Sequence, residues 1–386
     1  MRPSFTRAAC LLAAVLPGGI HSVLAQQVHP LVWPAPPDQP RISYVGSLSS
    51  EADLGKRTPF LKRLARALTG GRREAILRLE RPFDLYTRDG KRVYFTNGTL
   101  GAVMLLDRQA KKGLLLGTDV PGGLRKPMGL GGDGHDSLYV ADAGNRRVVV
   151  LGPDGHFIRA IGGAGLLLNP VDVAVDAAAG RVYVVDSYLH QVLVFDPLGT
   201  LLGRIGKQAG SVGDRPALET TTATPDSAPG HVAASPSDVW ENRGGGVGEF
   251  RYPVSAAVGP EGTLYVSDQM NFRVQAFSRD GQHLRTIGRL GDRPGTFTRP
   301  KGVAVDSEGH LYVADGAFNN VQMFDGEGRL LMAFGSLGVG PGQHWLPLGL
   351  TIDEQNCIYV ADRYNNRAQI YQYITAVGPI EPTQAQ

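Results

Sequence analysis

Short apolar runs alternate with polar turn formers along most of this chain. Between Arg299 and Gly335 the segment RPKGVAVDSEGHLYVADGAFNNVQMFDGEGRLLMAFG holds four such runs, GVAV, LYVAD, VQMF and LLMAF. DSEGH, DGAFNN and DGEGR separate them. β-Branched and aromatic runs bounded by Gly, Asp and Asn predict strands joined by tight turns. Four such strands form one twisted antiparallel sheet with too little apolar surface to stand alone. Copies of the unit must therefore stack face to face around an axis.

The copies align on a proline ahead of the first strand: Pro82, Pro127, Pro170, Pro253, Pro300 and Pro347, spaced by 45, 43, 83, 47 and 47 residues. The long interval is one unit carrying an insertion. The second strands keep the same register, as RVYFTN, SLYVAD, RVYVVD, TLYVSD, HLYVAD and CIYVAD. The shared pattern P-x-G-V-A-V-D…G-x-L-Y-V-A-D-x-x-N-x-R-V resembles the NHL repeat, over roughly residues 81–374. The first and third copies depart from it: Asn97 replaces the strand-ending Asp, and Leu189 replaces the Asn found at Asn145, Asn271 and Asn365. The resemblance implies an all-β fold, a six-bladed β-propeller of four-stranded antiparallel blades.

The last repeat has only three strands before a polar tail, 376–386. RISYVG (41–46) matches the fourth strands FIRAIG, HLRTIG and LLMAFG, with Ile42, Val45 and Gly46 falling where Leu284, Ile287 and Gly288 fall. An N-terminal strand over 41–46 is thus expected to complete blade six, close the ring and remove an open edge. The propeller then spans 41–375. The Pro-rich segment 26–40 precedes it and reads as an arm along the surface, held by Leu31 and Trp33. Thr58-Pro59, an apolar face of Phe60, Leu61, Leu64, Ala65 and Leu68, and Gly70-Gly71 predict one short helix at about 58–69. Residues 208–246 are rich in Thr, Ala, Ser and Pro and read as a flexible insertion.

Composition adds a compartment and removes several chemistries. Arg2 and Arg7, the apolar run Ala8–Val15, and Val23-Leu24-Ala25 predict a signal peptide over 1–25 and an exported protein, periplasmic or extracellular. Cleavage leaves one cysteine, Cys357, so no internal disulfide is expected. The formal charge is +3, and two of those charges belong to the signal peptide. No nucleic-acid partner is expected. Lys56 to Arg81 holds nine basic and two acidic residues. A solvated basic side on the short helix is the preferred reading, ahead of membrane-surface contact through 56–73.

Propellers carry binding groups where the innermost strands begin, around the central channel. Here those positions supply Arg81, Asp84, Lys126, Asn169, Asp172, Tyr252, Ser255, Arg299 and Lys301 as candidate ligand-binding residues. Asp142, Asp186, Asp268, Asp315 and Asp362 recur once per blade before a turn, where a carboxylate accepts turn amides rather than converging on an ion. The histidines show no zinc spacing, and no nucleophile or phosphate-loop motif occurs. No catalytic residue and no cofactor is evident. The expectation is an exported, non-enzymatic binding or scaffold propeller for a protein, peptide or small polar ligand. The alternative is a metal-dependent lyase or hydrolase with a divalent ion in the channel, for which Asp84 and Asp172 are the candidates.

Overall fold

The computed structural model describes residues 31–55, 76–97, 100–135, 137–163, 165–206 and 244–374. The expected signal peptide, the helix at 58–69, nearly all of the 208–246 insertion and the polar tail lie outside the described residues. Two strands come first, β1 (Val32–Trp33) and β2 (Ile42–Leu48). Blade one is β3 (Leu85–Tyr86), β4 (Arg92–Thr96), β5 (Val103–Asp107) and β6 (Lys112–Leu116). Blade two is β7 (Pro127–Gly132), β8 (Leu138–Asp142), β9 (Arg147–Leu151) and β10 (Phe157–Gly162). Blade three is β11 (Pro170–Asp176), β12 (Arg181–Asp186), β13 (Gln191–Phe195) and β14 (Leu201–Ile205). Blade four is β15 (Pro253–Val258), β16 (Leu264–Asp268), β17 (Arg273–Phe277) and β18 (His283–Ile287). Blade five is β19 (Pro300–Val305), β20 (Leu311–Asp315), β21 (Asn320–Phe324) and β22 (Leu330–Phe334). The short strands β23 (Ser336–Leu337) and β24 (Gln343–His344) pair in the following loop. Blade six is β25 (Pro347–Ile352), β26 (Cys357–Asp362) and β27 (Arg367–Tyr373).

Each blade is an antiparallel meander, and each innermost strand neighbours the next: β3, β7, β11, β15, β19 and β25, which returns to β3. The core is divided among the six seams between blades. The seam of blades three and four packs Tyr183, Val185 and Val192 against Phe250, Val266 and Phe277. The seam of blades six and one packs Tyr359 and Ile370 against Val93, Phe95 and Leu106. No blade buries its own faces, so the ring is the folding unit.

β2 closes the ring as expected. It pairs antiparallel with β27, with Ile42 opposite Tyr373 and Tyr44 opposite Tyr371. The register differs from the sequence match by three residues. Leu48 stands opposite Ala368, the place that Ile287 takes opposite Val274 in blade four. Val45 instead sits at a register shift between Tyr44 and Gly46 and is 57% exposed. A bulge adds a residue and turns its side chain away from the packed face. β1 adds a fifth strand outside β2, with Trp33 opposite Ile42. Trp33 packs 6.0 Å from Phe334 and 5.7 Å from Tyr371, whereas Leu31 is 40% exposed.

Candidate functional site

One face of the ring gathers the starts of the innermost strands and the turns between second and third strands. Register brings these together: in blades two to six the first-strand proline is paired with the Asp that ends the second strand, as Pro127 is with Asp142 and Pro300 with Asp315. Those aspartates are fully buried and spent on the backbone. Asp142 Oδ1 accepts Arg125 N and Lys126 N, and Asp315 accepts Thr298 N and Arg299 N. Asp142, Asp268 and Asp362 also each take an Asn amide and an Arg guanidinium from their own turn, as Asp362 takes Asn365 at 2.8 Å and Arg367 at 2.8 Å. They build the face and offer nothing to a ligand.

A second device joins neighbouring blades on this face. In three blades the residue before the proline has a positive φ: Arg81, Tyr252 and Leu346. The amide of each donates to a side chain in the preceding blade's turn, Asn366 Oδ1, His190 Nδ1 and Asn319 Oδ1 respectively. Where the equivalent turn residue lacks an acceptor, at Arg146 and Phe272, the next pre-proline residues Asn169 and Arg299 keep negative φ and bond the buried Asp of their own blade.

The channel opens at the centre of this face as a cup of about 130 Å³. The residues after each proline form its wall: Phe83, Met128, Val171, Val254, Lys301 and Leu348. The next ring inward is Asp84, Gly129, Asp172, Ser255, Gly302 and Gly349. Below it the channel widens again to a space of about 160 Å³, and Asp84, Asp172 and Ser255 line both chambers as its neck. Each polar neck residue reaches the following inner strand. Asp84 Oδ2 accepts Leu130 N at 2.8 Å, Asp172 Oδ2 accepts Ala256 N at 2.9 Å, and Ser255 Oγ accepts Val303 N at 3.2 Å. The glycines are required by this closeness. A Cβ on Gly129 would stand 2.2 Å from Asp172 Oδ1, and one on Gly349 would stand 2.2 Å from Asp84 Oδ1.

Neither neck carboxylate has a cationic partner among the described residues. Burial raises both pKa values, and the Asp172 charge pushes Asp84 further, well above the usual carboxylate range. Asp172 is raised to about 7, held there by burial against the lowering effect of the Ala256 amide, the Ser255 hydroxyl and the Val173 amide. Two buried acids facing each other cannot both ionise cheaply, so the neck carries a proton near neutrality. Lys301 is pushed down to about 8 by burial and by Arg299 and Arg363, and its Nζ donates to Gln269 Oε1 at 2.5 Å.

Of the nine sequence-derived candidates, Asp84, Asp172, Ser255 and Lys301 meet in the cup. Arg81, Lys126, Asn169, Tyr252 and Arg299 stand outside it, on the rim. The aliphatic wall and the neck glycines carry no polar signal in the sequence. The register after each proline would have found them. Among the described residues no group of three or more His, Cys, Asp or Glu is placed to hold a metal ion.

The ring of six four-stranded blades with an axial channel defines a six-bladed β-propeller. The NHL repeat model matches residues 167–195 and 297–324, two of the in-register copies, and the chain is an NHL-repeat propeller. No curated protein matches it. Among solved structures it is similar to a Bacteroides thetaiotaomicron protein of unknown function, at 16% identity and a TM-score of 0.53, over 76% of this chain and 70% of that one. An auxiliary nutrient binding protein from the same organism is similar at 15% identity and a TM-score of 0.52, over 76% and 69%. A virginiamycin B lyase from Staphylococcus aureus matches at 11% identity and a TM-score of 0.49, over 75% and 80%. Likeness at these identities shows the fold alone.

Proposed function

We propose that this protein is an exported, non-enzymatic binding or scaffold propeller that takes a protein, peptide or small polar ligand at the channel mouth. One observation carries the reading: the cup, walled by one side chain from every blade and floored by two carboxylates that accept backbone amides but have no cationic partner among the described residues. Buried acids without a counter-charge are costly in a purely structural role and recur where a ligand is met. The aliphatic wall supplies contact area and the neck supplies orientation, the usual division of labour in a binding pocket. The N-terminal charge and hydrophobicity pattern supports export.

The test fills the cup. Leu348→Trp places an indole across the mouth without touching the seams. Retention of partners from periplasm or culture medium by the wild-type protein, lost in the variant at unchanged melting temperature, is the expected result. Equal retention by both would move the site elsewhere. Export is checked by fusing residues 1–40 to a reporter enzyme that is active only outside the cytoplasm.

A further inference from the structure

The rim around the cup has a chemistry of its own. The pre-proline positions carry Arg81, Lys126 and Arg299, and the turns add Arg146 and Arg363. None of these forms an ion pair among the described residues, in contrast to the guanidiniums of Arg147, Arg273 and Arg367, which the buried aspartates neutralise. At the two positions ahead of each blade's proline, Glu80 is the single acidic residue. The mouth is therefore cationic on a chain whose overall charge is small, and its cations crowd one another: Arg299 and Arg363 both depress Lys301.

The same rim exposes large apolar groups. Tyr188, Tyr252, Trp345 and Tyr364 are 59%, 44%, 50% and 44% exposed. They stand as two edge-on pairs, Tyr188 with Tyr252 at 6.4 Å and Trp345 with Tyr364 at 5.6 Å. The pairs sit at the junction of blades three and four and on blade six, with the cationic blade five between them. Exposed Tyr and Trp interleaved with Arg is the composition of interface hot spots rather than of solvated surface.

We propose that the mouth face docks an acidic segment of a partner protein, whose carboxylates meet the rim cations while one aliphatic side chain enters the cup. This rests on the mouth being the binding site, as proposed above, and adds the chemical class of the occupant. Charge complementarity selects an anionic partner. The cup selects a peptide over a nucleic acid: Met128, Val171, Val254 and Leu348 offer an aliphatic wall, and Asp84 and Asp172 repel phosphate from the axis.

The probe is an array of acidic peptides, each with one central Leu, Val or Phe, with Lys-for-Glu counterparts and a single-stranded RNA series alongside. The full chain is expected to bind acidic members with one preferred central residue, and to lose about tenfold in affinity between low and physiological salt. Lys126→Glu combined with Arg299→Glu, both exposed, should weaken binding by a further tenfold or more at unchanged melting temperature. Leu348→Trp should erase the central-residue preference. Binding that ignores peptide charge but disappears with Leu348→Trp would overturn the acidic partner and leave the mouth as the site. RNA bound in preference to peptides, or acidic members bound no better than their Lys counterparts, would overturn the proposal.

Discussion

At the scale of single residues, the neck shows a side chain held against its own preference. Asp172 takes up a proton more readily folded than unfolded, because its pKa rises from about 4 to about 7. The sign follows from linkage. The folded state binds more protons between those values, so this group's contribution to stability falls as pH rises through the window. Asp172→Asn keeps an acceptor for the Ala256 amide and removes the charge. The variant should be more stable than the wild type at pH 8, by on the order of a few kcal/mol. The gap should close below about pH 4, where the native residue is protonated in both states. Denaturant melts across pH check this, and equal stability at pH 8 would mean that Asp172 is already compensated. Gly129→Ala should fail in the opposite sense, since its Cβ would stand 2.5 Å from the Asp172 backbone, costing several kcal/mol through overpacking.

At the scale of elements, the loops ahead of each blade show what the sequence made legible and what it hid. Strand number, blade period and the closing strand follow from apolar spacing, which survives divergence because each seam must be filled. The register of β2 does not. Val45-Gly46 imitates Ile287-Gly288, and a bulge leaves no mark in a pattern of residue types. β1 is too short, at two residues, to give any periodic signal. Positive φ before Pro82, Pro253 and Pro347 is a backbone property that no composition reports. His344 is hidden for a different reason: a histidine stands where the repeat places Phe250 and Phe297, three residues ahead of the proline. It is fully buried, with Nε2 2.8 Å from the Tyr371 hydroxyl and Nδ1 3.3 Å from Asn319 O. Burial pushes its pKa down to about 4, against the pull of Asp362 and with the push of Arg367. The unfolded chain takes up the proton near pH 6.5, so stability is complete above that value and is lost as pH falls towards 4, opposite in sign to Asp172. His344→Phe should cost about 1 kcal/mol at pH 7.5, by stranding the Tyr371 hydroxyl. It should also flatten the acid decline between pH 6.5 and 4, which melts in a pH series would show. An undiminished decline would assign the acid sensitivity to another group.

At the scale of the whole molecule, stability rests on closure, because every apolar cluster lies between blades and none within one. Opening the ring at any seam exposes two apolar faces and two sheet edges together. The natural weak point is where the chain's two ends meet, at β2 against β27. The two N-terminal strands do different things there. β1 covers an aromatic group of Trp33, Phe334 and Tyr371, whereas β2 supplies the hydrogen-bonded partner of β27 along its length. Deleting residues 1–40 should therefore remove the Trp33 packing and the short β1–β2 pairing, with its bonds from Arg41 N to Trp33 O and Tyr44 N to Leu31 O, while leaving β2 on β27. The expected loss is about 2–4 kcal/mol, comparable to truncating a large aromatic side chain, with a monomeric product and one cooperative transition. Deleting residues 1–48 should leave β27 as a bare edge beside the emptied positions of Ile42 and Leu48. Unpaired edges recruit strands from other molecules, so this product should form oligomers or aggregates. Light scattering after size exclusion separates the two outcomes. A monomeric, cooperatively folding 1–48 deletion would show that blade six holds with three strands, and that β2 contributes rigidity rather than closure.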